Sequence, residues 1–160
     1  MKKSSFWIYI YFTASLLIHI SVLPIISING VLPNLWIVLL VYFTLERTRL
    51  WGILTAAVFG LVFDLTCGNL IGASVFAASL AIYFGGFFWS EQRNKQILQN
   101  YSFILIVMLV TFIYSVVFAI LTNLDIRGSI FSLVMMQGVF PSLYTAAISS
   151  FIVIVNSKRR

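Results

Sequence analysis

Polar and charged positions cut this chain into apolar blocks, and the lengths of those blocks are its clearest message. A helix crosses about 30 Å of hydrocarbon with about 20 residues at 1.5 Å each. On that ruler the pattern predicts six membrane-spanning helices, near 6–28, 33–45, 50–65, 70–89, 101–123 and 130–155. Asn29 and Gly30 close the first. Pro33 opens the short second block, at a place where a helix tolerates proline. Glu46, Arg47, Thr48 and Arg49 then separate the second block from the third. The polar stretch 90–100 follows the fourth, with Glu91 and Lys95 one helical turn apart. A loop with Asp125 and Arg127 leads to the sixth block, which Pro141 interrupts. Merging the second and third blocks would put Glu46, Arg47 and Arg49 in lipid, at about 2.5–3.5 kcal/mol each. The expected fold class is therefore all-α integral membrane, a single six-helix bundle over residues 1–160.

Composition agrees with that solvent. The chain has 160 residues, 61% hydrophobic and 9% charged, with a mean hydropathy of +1.06. A soluble domain is about half apolar and about a quarter charged. The net charge of +6 does not point to nucleic acid, because the basic residues lie in small groups between apolar blocks. With the N-terminus inside, Lys2, Lys3, Arg47, Arg49, Arg93, Lys95 and Lys158 to Arg160 fall on the cytoplasmic side, and only Arg127 falls outside. Both termini are thus expected in the cytoplasm. The first block is longer than a signal-peptide core and lacks a small-residue cleavage site, so it is expected to stay as a helix. Trp7, Trp51 and Trp89 suit an interfacial belt. Cys67 is the one cysteine, which excludes an internal disulfide.

Small residues recur every fourth place in four blocks. They are Gly52-Ala56-Gly60, Ala73-Ala77-Ala81-Gly85, Thr111-Ser115-Ala119 and Ser142-Ala146-Ser150. Such stripes let helices approach closely in lipid. They predict one tight bundle, with the third and fourth helices packed as a hairpin, or else a face for a partner's helix.

Asp64 continues the first of these stripes. It stands 13 residues after Trp51, about 20 Å along the helix, where an ionised carboxylate needs pairing, water or backbone donors. His19 follows Phe6 by the same interval, in a helix of the same direction. The two are expected at similar depth, which makes an intramembrane polar pair one hypothesis. The favoured reading is a structural carboxylate bonding the turn Thr66-Cys67-Gly68-Asn69, with a histidine satisfied by packing. Catalysis is not expected. Asp125 lies in a loop rather than beside Asp64, Ser74 has no base assigned by spacing, and no phosphate loop, metal-ligand cluster or cofactor motif is present.

Residues 32–72 carry a resemblance. Leu32-Pro33-Asn34-Leu35 opens a short span, a basic turn follows around Arg47 and Arg49, and then come Gly60, Asp64, Gly68 and Gly72. This order resembles the rod shape-determining protein MreD family, and the length and loop-poor layout resemble it over nearly the whole chain. Asn34 stands where many members carry an acidic residue. The resemblance implies a non-enzymatic scaffold in the bacterial cytoplasmic membrane. Its partners would be an MreC-like single-span protein, MreB, and the RodA and penicillin-binding-protein machinery that makes peptidoglycan. It also implies a fold similar to the membrane substrate-binding subunits of energy-coupling-factor transporters. A vitamin-type transporter subunit is therefore the rival reading. Pro33, Asn34, Gly60, Asp64, Gly68 and Gly72 are the positions it marks, and Gly52 joins them from the packing stripe. Oligomeric state is left open.

Overall fold

The apolar blocks fold as helices. The computed structural model describes residues 5–21, 31–68, 70–88, 101–122 and 134–157, and among them are six α-helices and no strand. These are α1 (Ser5–Ser21), α2 (Leu35–Glu46), α3 (Arg49–Cys67), α4 (Ala73–Gly85), α5 (Tyr101–Thr122) and α6 (Phe140–Ser157). A 3-10 turn, Gly86–Phe88, continues α4, and a π-helical turn, Val134–Val139, leads into α6. Pro141 sits at that join, one residue into α6 and directly after the π-helical turn. Lys2, Lys3, Asn69, Trp89, Glu91, Arg93, Lys95, Asp125, Arg127 and the basic C-terminal end lie outside the described residues, as does the side chain of Trp7.

Two of the helices, α3 and α5, are long and apolar enough to cross a membrane. The others run shorter than their blocks, α2 at 12 residues and α4 at 13. The shortest helix is also the most enclosed. α2 touches each of the other five, and only Glu46 is exposed on it. Its sequence, LWIVLLVYFTLE, is apolar on every face, which is the signature of a central helix. α3 instead has two faces. Gly52, Ala56, Phe59, Gly60, Phe63 and Asp64 point inward, while Leu50, Leu54, Val58, Leu61 and Leu65 are exposed.

Aromatic rings knit the centre. Trp36 of α2 stacks on Phe63 at 5.3 Å and meets Tyr114 of α5 edge-on at 5.2 Å. Phe12 of α1 stacks on Phe59 at 4.3 Å. Each such pair adds about 0.5–1.5 kcal/mol beyond burial. The buried hydroxyls of Thr44 and Ser149 close on their own helices, donating to the Leu40 carbonyl at 2.7 Å and the Ala146 carbonyl at 2.8 Å, while those of Ser15 and Thr111 have no partner among the described residues.

The small-residue stripes are buried, but they serve different neighbours. A Cβ at Gly60 would stand 2.8 Å from the Val75 Cα, so α3 meets α4 backbone to backbone there. At Gly52 the obstacle is instead the Thr44 side chain of α2, and at Gly85 it is Val110 of α5. In α6 the third buried position is Ser149, with Ser150 less enclosed, because the helix period drifts away from four. At the opposite end from Asp64, the Arg49 guanidinium lies over the rings of Tyr83 and Phe87, at 3.9 and 4.2 Å.

Candidate functional site

His19, Pro33, Asn34, Asp64, Gly68 and Gly72 gather towards one end of the bundle, where α1, α3 and α5 finish and α2, α4 and α6 begin, whereas Gly52 lies at the other end, in the first turn of α3. Helix α3 ends at Gly68, whose φ of 67° is left-handed and whose N–H returns to the Asp64 carbonyl. Gly72, at φ 96°, turns the chain into α4. A side chain with a Cβ would find open space at both positions, so the requirement there is conformational.

This turn delivers the start of α4 to Asp64. The carboxylate is wholly buried. Its Oδ2 accepts the Gly72 N–H at 2.8 Å, and the Ser74 N–H lies 3.1 Å from both oxygens. Asp64 therefore caps a helix that begins nine residues after it, serving N–H groups that have no partner inside α4. The positive end of the α4 dipole favours a carboxylate at this place. Close approach at Gly60, one turn earlier, is what brings α4 within reach. The Ser74 hydroxyl lies 3.5 Å from the Tyr114 hydroxyl, which ties the knot to α5.

Asn34 makes a second junction. Its backbone N–H donates to Thr145 of α6 at 2.9 Å, and its side-chain amide donates to Ser115 of α5 at 3.3 Å. It stands at the start of α2 but makes no side-chain cap on that helix. Thr145 in turn donates to the Pro141 carbonyl at 2.6 Å. Pro33, beside it, is buried.

His19 and Asp64 are not brought into contact. The His19 ring meets Phe63 edge-on at 5.0 Å, and its Nδ1 is buried without a hydrogen-bond partner. Neighbouring residues on a helix point about 100° apart, and it is Phe63 rather than Asp64 that faces His19 of α1. The carboxylate is also not bonded to Thr66, whose hydroxyl donates to the carbonyls of Val62 and Phe63. Ser74 enters through its backbone N–H rather than as a nucleophile. Sequence reading missed Thr145 and Tyr114, and gave Ser115 only a packing role. Their one advance signal is a polar group inside an apolar helix.

A cavity of about 260 Å³ lies between His19, Asn34, Phe63 and the facing parts of α5 and the π turn. Among the described residues no group of three His, Cys, Asp or Glu could hold a metal ion.

Compared with known proteins, the chain matches the family model of the rod shape-determining protein MreD over residues 2–155. No curated protein and no solved structure matches it.

Proposed function

The chain belongs to the family of the rod shape-determining protein MreD, which gives it a role in rod shape determination, and from that premise we propose that it is a non-enzymatic scaffold of the cell-elongation machinery. Family membership, together with the apolar helices α3 and α5, makes it an inner-membrane protein. The proposed scaffold crosses the cytoplasmic membrane six times with both termini inside. It holds an MreC-like single-span protein in register with MreB and with the RodA and penicillin-binding-protein machinery.

The observation that carries this reading is the extent of the family match, which runs from α1 into α6 rather than covering one segment. The distribution of basic residues supports the orientation. A central helix held by five others and a hairpin locked at Asp64 suit a part that presents fixed outer faces to partner helices. The vitamin-transporter rival gains nothing from the solved structures, none of which matches.

Depletion in a rod-shaped host is the test. Cells should widen and round, and labelled wall precursor should lose its ordered insertion along the side wall. An MreC-like partner should also crosslink to the chain in membranes. Unchanged width together with unchanged insertion would sink the proposal.

A further inference from the structure

We propose that the cavity over the start of α2 binds an uncharged, ring-bearing group that carries an amide or a hydroxyl. At about 260 Å³ it is slightly smaller than the usual ligand site of about 300–1,000 Å³. Its walls are the rings of Phe63, Tyr114 and Phe118. Trp36 braces Phe63 and Tyr114, and Phe118 stacks on Tyr114 at 5.7 Å. The walls are thus set before a ligand arrives, which lowers the ordering cost of binding.

The polar lining is neutral in kind. Ser115 and Asn34 bond each other, which leaves the Asn34 carboxamide oxygen as an acceptor. His19 also lines the cavity, is only 8% exposed, and has a buried Nδ1 with no partner. A pure hydrocarbon occupant would leave these groups unsatisfied. Among the described residues no lysine, arginine, aspartate or glutamate lines the space, and Asp64 is turned away into α4. An ion entering would lose its water and gain no countercharge. Flat ring walls with a few convergent hydrogen-bonding groups select a neutral planar or sugar-like ring. This inference does not depend on the scaffold reading.

The same chemistry can come from a free solute or from a lipid headgroup. Full-length protein in detergent at pH 8 is titrated with benzamide, benzoate and benzamidine, three isosteres of different charge, by ligand-observed NMR. Saturable benzamide binding is expected, with both ions at least about tenfold weaker. Equal binding of all three, or no benzamide binding, overturns the proposal. Met136 lines the cavity and is 57% exposed, so Met136→Trp should fill the space without disturbing the bundle. It should abolish binding with helicity and Tm unchanged, and binding that survives it overturns the assignment. His19→Phe keeps the ring and removes the nitrogens. A loss of about tenfold is expected, and unchanged affinity overturns the hydrogen-bonding role. Repeating the titration in phosphatidylcholine nanodiscs separates the sources. Displacement by added monoglucosyl diacylglycerol, a neutral lipid with a sugar ring, assigns a lipid-borne group, and resistance to it assigns a soluble one.

Discussion

Phe63 and Asp64 are consecutive on α3, yet they open onto regions of opposite character. On the Asp64 side each carboxylate oxygen receives backbone N–H, and the α3 and α4 backbones touch at Gly60. On the Phe63 side the structure is hollow, and a buried histidine nitrogen lacks a partner. One helix thus separates a closed joint from an open chamber. Buried polar groups are costly unless satisfied, so the first region reads as stability and the second as capacity to bind.

Substitutions on the two sides should differ accordingly. The largest effect is expected for Asp64→Ala, which orphans the Gly72 and Ser74 N–H groups at about 1–3 kcal/mol each. Thermal unfolding in detergent should show a much lower Tm, and an unchanged Tm would dissolve the contrast. Gly60→Val comes next, at about 1–3 kcal/mol, because α4 must move away from its new side chain. Disulfide trapping between cysteines placed on α3 and α4 should then become slower. Gly72→Ala meets free space but keeps a left-handed φ, and should cost about 1 kcal/mol. Urea unfolding of the two glycine variants would check that order. The smallest effect belongs to the open side. His19→Phe should change stability by no more than about 0.5 kcal/mol, because the ring contact with Phe63 survives and no hydrogen bond is lost. A large loss of Tm there would mean that the chamber is as structural as the joint.

What could be read in advance follows from how far each feature reaches along the chain. The helices follow from apolar blocks, although their ends fell short where turns such as that at Gly72 intervened. The positions of His19 and Asp64 along their helices followed from rise per residue, which sequence supplies. Their facing did not, because about 100° of rotation decides between residues 63 and 64, and rotation is set by packing with other helices. Asp64 could be marked as a carboxylate in need of donors, but the donors depended on Gly72 adopting a positive φ. The reach of Asn34 to Ser115 and Thr145 was illegible, since those partners lie 81 and 111 positions away. Gly52 was recognised as small, whereas its partner Thr44 was not.

The short central helix has a consequence for how the protein is made. At 1.5 Å per residue, α2 spans about 18 Å, far less than the hydrocarbon thickness. Alone it would be a poor candidate for lateral release into lipid during synthesis. In the finished bundle, chain from both earlier and later in translation encloses it, α1 on one hand and α5 and α6 on the other. Its final place is therefore secured only after the last helices leave the ribosome. A ribosome stalled between α4 and α5 would release a nascent chain with its keystone exposed, ready for membrane quality-control proteases.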